Sequence, residues 1–247
     1  MKVLLSGASG KMGEEVIKAV ESKNNFEIVC GFDATEGNKG FPIYNETNNI
    51  KEEFDAIIDF SVPIATLKVL EFARKNNKPI VIATTGFNKE QLEIIEDYSK
   101  EIPIFRSSNM SLDINLMADI VKRIAEVLSD TDIEIMETHH NRKVDSPSGT
   151  AILLADAINE VFENKKEYNF DRMQKREKRS KNEIGFSSIR GGNIVGEHTV
   201  AFFGEAETLE ITHKAYSRQV FAQGALKAAE YIVKQKPGLY NMKNIVE

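Results

Sequence analysis

Over the first hundred residues, short apolar runs alternate with stretches in which apolar positions recur every three or four residues. The runs are Val3-Leu-Leu5, Phe26 to Cys30, Ala56-Ile-Ile-Asp-Phe60, Pro79-Ile-Val-Ile-Ala83 and Pro103-Ile-Phe105. They are nearly continuous in apolar residues, which predicts strands buried on both faces. Between them, Val16, Ile17 and Val20 share one face of a helix. Pro63 opens a second helix with Leu67, Leu70 and Phe72, and Glu90 to Tyr98 predicts a third. A proline in a first helical turn gives up no hydrogen bond. Strands alternating with helices predict an α/β domain built on a doubly wound parallel sheet.

Past residue 110 the rhythm changes. A long helix from about Leu112 to Leu128 leads to a strand at Ile133 to Glu137, a polar loop, and a helix through Ala151 to Phe162. Three β-like segments follow, Ser187 to Arg190, Ile194 to Phe203 and Thr208 to His213, with Gly191-Gly192 and Gly204-Glu205 in the turns between them. Strands joined by short turns suggest an antiparallel or mixed sheet, hence an α+β domain. A last helix, Val220 to Val233, ends before Pro237-Gly238 and is expected to return to the first domain. The expected division is therefore 1–108 with 217–247, and 109–216.

Composition narrows the class. Of 247 residues, 41% are hydrophobic and 28% charged, the balance of an ordinary globular chain. A formal net charge of −6 argues against chain-wide affinity for nucleic acid. From Glu163 to Glu183, eight basic residues stand among five acidic ones without an aromatic platform. Mixed signs there suggest a solvated, mobile connection rather than a nucleic-acid patch. The single cysteine, Cys30, reads as a buried strand thiol. The N-terminus is too briefly apolar for a secretion signal, and no stretch approaches the roughly 18 apolar residues of a membrane span. A cytoplasmic protein without membrane partners is expected.

The first strand runs into Gly7-Ala-Ser-Gly10-Lys-Met-Gly13, which opens the first helix. Glycines let the backbone turn tightly and approach a pyrophosphate, whose charge meets free amides and the positive end of the helix dipole. The spacing G-x-x-G-x-x-G is a variant of the usual fingerprint. Asp33, twenty residues beyond Gly13 at the end of the second strand, stands where an acid holds ribose hydroxyls. Strand, glycine turn, helix, strand and acid together predict a Rossmann-like dinucleotide-binding domain. Ala83-Thr84-Thr85-Gly86 and Ser108-Asn109-Met110-Ser111 fall at carboxyl ends of other predicted strands, where hydroxyls and an amide suit a nicotinamide and its ribose.

Chemistry concentrates in Glu137-Thr-His-His-Asn-Arg-Lys-Val-Asp-Ser-Pro-Ser-Gly-Thr-Ala151. His139, His140, Arg142 and Lys143 crowd proton-carrying and cationic groups together. Pro147-Ser148-Gly149-Thr150 then begins a helix, with Ser148 as its N-cap. Amides at that helix start, beside Lys143, suit a carboxylate. Two adjacent imidazoles without a third ligand make a poor zinc site, so no metal is expected. The segment reads as a site for a small polyanion that also needs a proton.

This segment resembles the signature of the 4-hydroxy-tetrahydrodipicolinate (dihydrodipicolinate) reductase family. The resemblance continues through Gly7 to Gly13, Ala83 to Phe87, Ser108 to Ser111, Ser188-Ile-Arg-Gly-Gly192, Val195-Gly-Glu-His-Thr199 and Leu209 to Ala215, essentially the whole chain. It implies a dinucleotide domain completed by the C-terminal helices, an α+β substrate and oligomerisation domain, and a homotetramer built through the second sheet. It implies His139 and Lys143 as the proton-donating pair, and His140, Lys143, Gly149 and Thr150 on the substrate's carboxylates. Gly7, Ala8, Ser9, Gly10, Lys11, Met12, Asp33, Ala83, Thr84, Thr85, Ser108, Asn109, Met110 and Ser111 are implied on the cofactor. Ala83 stands where the family commonly has glycine, and Ala34 where NADPH-tolerant members often carry arginine. The implied reaction reduces a cyclic imine dicarboxylate, with NADH preferred and NADPH accepted. The alternatives are another two-domain reductase, such as an aspartate dehydrogenase-like enzyme, and a non-catalytic NADH sensor.

Overall fold

The computed structural model describes residues 1–246. Its first half runs β1 (Lys2–Ser6), α1 (Lys11–Glu21), β2 (Glu27–Phe32), β3 (Gly37–Asn38), β4 (Pro42–Tyr44), β5 (Ala56–Asp59), α2 (Pro63–Lys75), β6 (Ile80–Ile82), α3 (Lys89–Ser99) and β7 (Pro103–Arg106). It continues with α4 (Leu112–Val127), β8 (Asp132–His139), α5 (Gly149–Val161), β9 (Glu167–Asn169), β10 (Glu183–Arg190), β11 (Gly196–Phe203), β12 (Thr208–Ala215), α6 (Gln219–Ile232) and β13 (Gly238–Tyr240). Two compact units result, Met1–Leu112 with Arg218–Glu247, and Asp113–Ser217. Among the described residues, no helix is long and apolar enough to cross a membrane.

The first unit is a sheet in the order β13-β7-β6-β5-β1-β2-β4-β3, parallel except where β3 meets β4. Alternate residues of each strand face opposite helical layers. Val3, Leu5, Ile58, Val81 and Phe105 join α1 and α6 in one core. Leu4, Ile57, Ile80, Ile82 and Ile104 join α2 and α3 in the other, with Cys30. Cys30 is fully buried, and burial pushes its thiol up to about 12, so it is an inert packing group. The α3 helix starts on a reciprocal cap, in which Asn88 accepts from the Gln91 amide and Gln91 accepts from the Asn88 amide. The chain leaves β1 toward β2 on one side and resumes at β5 on the other, so the crevice beyond β1 and β5 is a switch point where such sheets bind ligands.

The second unit has a mixed sheet in the order β12-β11-β8-β10-β9. Ile133, Ile135, Ile184, Phe186, Val200 and Phe202 turn one face toward α4 and α5. The other face forms no core cluster among the described residues, and Ile189 and Phe203 lie 57% and 40% exposed on it. Although only a short glycine turn joins β10 to β11, the two do not pair: β8 lies between them, parallel to β10 and antiparallel to β11. The turn therefore passes over the end of β8. There Gly191 donates to the His139 carbonyl, His140 to that of Ile194 and Asn141 to that of Gly192.

The Glu163 to Glu183 stretch departs from the solvated connection expected of it. It contributes β9 and a set of ion pairs to the sheet edge. Arg172 pairs with Glu183, and Arg179 reaches Glu134, Asp132 and Glu183 while donating to the carbonyls of Ile133 and Glu183. Between these anchors, Met173 to Lys178 stay exposed, as a solvated connection would.

Candidate active site

In the first unit, the glycine turn is built by backbone constraint. Gly7 sits at φ +78°, donates to the Phe32 carbonyl at 2.9 Å, and would bring a Cβ to 2.5 Å from the Phe60 carbonyl oxygen. A Cβ on Gly13 would lie 2.3 Å from the Gly7 carbonyl oxygen, so only glycine lets α1 start this close to the strand end. Gly10 is the helix N-cap and offers no side-chain bond to the first-turn amides, where Lys11 and Met12 follow. Asp33 lies one residue beyond β2, and its carboxylate accepts from the Ser9 amide at 2.8 Å and the Ala34 amide at 2.7 Å. Lys39 reaches the same turn, with Nζ 3.4 Å from the Ala8 carbonyl and 3.6 Å from Glu14. A turn that has no room for Cβ atoms, an uncapped helix start and an acid beyond the second strand fit a dinucleotide.

The other two loops are less free than their residue types suggest. Thr84 Oγ1 donates to Asp59 at 2.7 Å and accepts the Ser61 amide at 3.0 Å, leaving Thr85 and the backbone to face outward. Asn109, Met110 and Ser111 are buried, with Asn109 Oδ1 accepting from the Ser111 amide, while Ser108 is exposed. A Cβ on Gly224 of α6 would lie 1.7 Å from the Met110 carbonyl oxygen, so the loop is pinned from behind.

In the second unit, alternation along β8 places Ile133, Ile135, Glu137 and His139 on the core face. The face that begins as hydrophobic core ends as chemistry. Across the sheet, Ser188, Glu137, His198 and His213 form one rung, and Arg190 and His139 pair in the next. A Cβ on Gly196 would lie 3.0 Å from His139 Nε2, so the glycine makes room for the ring.

Glu137 is 1% exposed and organises this end of the sheet. Arg190 grips it with two bonds of 2.7 and 2.8 Å, the Ser148 amide donates at 3.2 Å, and His139 Nδ1 lies 2.5 Å from Oε2. Burial alone would raise the carboxyl, but Arg190, Ser188 and His139 outweigh it and bring it down to about 2. A carboxylate only accepts, so His139 carries its proton on Nδ1 toward Glu137, and Nε2 is the atom left to exchange protons. Burial lowers the His139 imidazole below its ordinary value, with Lys143 and Arg190 adding to the effect against the opposing pull of Glu137.

His198 stands edge-on to His139, with ring centroids 5.0 Å apart, and its Nε2 is 3.0 Å from Ser148 Oγ. Burial first, and then His139, push it down to about 3, so it is neutral. Ser148 caps α5 as expected, its Oγ accepting from the Ala151 amide at 3.2 Å. Gly149 and Thr150 form the first turn of α5, and a Cβ on Gly149 would meet nothing within 4 Å. Lys143 rests on Asp145 at 2.8 Å, and the same loop is held by Arg190, which donates to the Asp145 carbonyl at 2.8 Å. Arg142 points instead to Asn193 at 2.9 Å. The arrangement offers a proton-exchanging nitrogen at His139 Nε2 and a cation at Lys143, beside a helix start suited to a carboxylate.

Sequence reading missed Glu137, Arg190, His198 and Gly196 as parts of this cluster. The available signal was an acid at a strand position where the alternation calls for an aliphatic side chain.

Comparison with known proteins covers both units. A family profile described as dihydrodipicolinate reductase, N-terminus, matches residues 1–110, and one described as dihydrodipicolinate reductase, C-terminus, matches residues 113–246. The 4-hydroxy-tetrahydrodipicolinate reductase of Caldanaerobacter subterraneus subsp. tengcongensis is 49% identical over 247 residues, covering 100% of this chain and 98% of that protein. That of Clostridium novyi is 45% identical over 248 residues, with 100% and 98% covered. The solved structure of dipicolinate-bound dihydrodipicolinate reductase from Paenisporosarcina sp. TG-14 is 25% identical and has a TM-score of 0.83, with 99% of each chain covered. A probable dehydrogenase from Thermotoga maritima, 10% identical with a TM-score of 0.62 over 100% of this chain and 92% of that one, shares the fold alone.

Proposed function

The chain belongs to the dihydrodipicolinate reductase family and is an oxidoreductase of the reductase step toward diaminopimelate and lysine; on that premise we propose how its residues carry the reaction. The substrate is the cyclic imine dicarboxylate derived from 4-hydroxy-tetrahydrodipicolinate, and the product is tetrahydrodipicolinate. Full-length identity of 49% and 45% to reductases of this name does not favour an aspartate dehydrogenase-like enzyme or a non-catalytic NADH sensor. The observation that carries the mechanism is the buried Glu137–His139 pair, which leaves Nε2 as the proton-exchanging atom.

A reduced nicotinamide, when bound, supplies the hydride. Gly7 to Met12 and Asp33 hold the adenosine and pyrophosphate end, and Ala83 to Thr85 with Ser108 to Ser111 hold the nicotinamide end. His140, Lys143, Gly149 and Thr150 hold the substrate's carboxylates, with Lys143 exchanging Asp145 for a substrate oxygen. Two substrate carboxylates near His139 raise its affinity for a proton, so the imidazole, neutral in the free enzyme, becomes charged as substrate arrives. Addition of hydride to the carbon conjugated with the imine moves electrons toward nitrogen. His139 Nε2–H then delivers the proton, with Lys143 stabilising the developing charge. The test is turnover, read as NADH loss on enzymatically generated substrate.

NADH is expected to be preferred over NADPH by a factor of about ten or less, which corresponds to about 1.4 kcal/mol. Asp33 repels a 2′-phosphate, and Ala34 offers no guanidinium to offset it. Lys39, already at the Ala8 carbonyl, and Lys11 on the exposed first turn of α1 keep NADPH acceptable. Catalytic efficiencies with the two cofactors at low and high salt measure this. A clear NADPH preference at both would reverse the reading of Asp33.

We also infer a homotetramer assembled through the face of the second unit's sheet opposite α4 and α5, because Ile189 and Phe203 leave apolar area there unburied. Sedimentation equilibrium should give four chains per particle, and Ile189→Glu should lower that mass. A monomer for the unaltered protein would refute the assembly.

A further inference from the structure

Asp59 ends β5, the middle strand of the three that carry the switch-point loops, and it is fully buried. The mechanism above does not use it. An acid at the end of Ala56-Ile-Ile occupies a position where an aliphatic side chain would pack, so its desolvation has to be offset by hydrogen bonds. No cation pairs with it among the described residues. The offset comes from four hydroxyls instead. Ser6 Oγ at 2.6 Å and Ser61 Oγ at 2.5 Å donate to Oδ1, while Thr66 Oγ1 at 2.6 Å and Thr84 Oγ1 at 2.7 Å donate to Oδ2.

Those donors come from four elements. Ser6 is the last residue of β1, directly before Gly7. Ser61 follows Phe60, whose carbonyl is the surface against which Gly7 packs. Thr66 belongs to α2, and Thr84 to the loop after β6. One carboxylate thus ties the glycine turn, the β5–α2 connection and the β6–α3 loop to a single point.

We propose that Asp59 is a positioning residue for the cofactor, fixing the glycine turn and the β6–α3 loop relative to each other. The proposal rests on the reading that these two loops hold the nicotinamide nucleotide. A carboxylate can accept from all four hydroxyls, whereas an amide of the same shape presents donors to half of them. Asp59→Asn therefore leaves the core filled and unfixes the loops.

The experiment is a fluorescence titration of the full-length protein with NADH, combined with thermal melts and steady-state kinetics. Asp59→Asn and Ser6→Ala, which removes the hydroxyl joining the glycine turn to Asp59, should each raise the Kd for NADH at least about tenfold, with kcat at saturating NADH changed much less. Thr66→Val cuts the tie to α2 and should lower the melting temperature while keeping the original Kd. If all three variants melt earlier and bind NADH as the unaltered protein does, Asp59 is a packing residue and the proposal falls. If Asp59→Asn does not fold, Ser6→Ala decides alone, and an unchanged Kd overturns the proposal. Failure of the unaltered protein to bind NADH would instead remove the cofactor reading on which the proposal rests.

Discussion

His139→Gln is expected to lower turnover by at least ~100-fold, the usual scale of lost general acid catalysis, with NADH binding retained. Glutamine keeps a polar group near Glu137 but has no proton to exchange at the position of Nε2. Lys143→Ala should act on the same scale, because it removes the cation beside the developing charge. Both residues belong to the second unit, whereas the glycine turn belongs to the first. The Kd for NADH should therefore stay near its original value. In the unaltered protein, burial and the neighbouring cations lower the His139 imidazole from its ordinary 6.5. The required acid is lost as pH rises through that lowered value. Hence kcat/KM, which reports the free enzyme, should fall with rising pH from below 6.5, and His139→Gln should flatten that limb. Near-original turnover in both variants would remove the assignment of this pair.

Glu137→Leu should cost about 3–5 kcal/mol of stability at pH 7, the range for breaking a buried ion pair by removing one partner. Leucine fills the space but strands the Arg190 guanidinium, the His139 Nδ1–H and the Ser148 amide, three donors that share this carboxylate. The loss should depend on pH. The carboxyl is held at about 2 in the fold against an ordinary value of 4.5, so its contribution is complete above 4.5 and disappears as pH falls toward 2. Denaturant titrations at pH 7 and pH 3 should show the gap between the two proteins narrowing at the lower pH. Equal midpoints at pH 7 would mean that Glu137 organises nothing. Turnover should fall as well, since His139 loses the partner that fixes its tautomer.

The architecture was legible wherever residues repeat often enough to show a period. β1, β5 and β6 are read from unbroken apolar runs because helices cover both their faces. The strands β3, β4, β9 and β13 span two or three residues, too few for any alternation to register. The Ser148 cap follows from local chemistry and was readable, since an N-cap needs only its own turn. The order of the second sheet was not readable. A short turn between strands suggests a hairpin, but β8, far away in the chain, separates β10 from β11. That separation is what sets Arg190 and His198 on either side of Glu137. Residue type alone also does not reveal internal partners. The Thr84 hydroxyl and the Asn109 oxygen, expected to face the cofactor, also hold partners within the fold. Asp59 and Glu137 carried the opposite signal, an acid inside an apolar strand pattern, which marks an internal junction more reliably than a surface charge.

The most direct measurement is NADH oxidation by the purified protein, with the cyclic imine dicarboxylate generated enzymatically in the cuvette. NADH loss should require that substrate and should be nearly abolished in His139→Gln. Binding of NADH without substrate-dependent oxidation, or equal rates with and without His139, would contradict the proposed reaction.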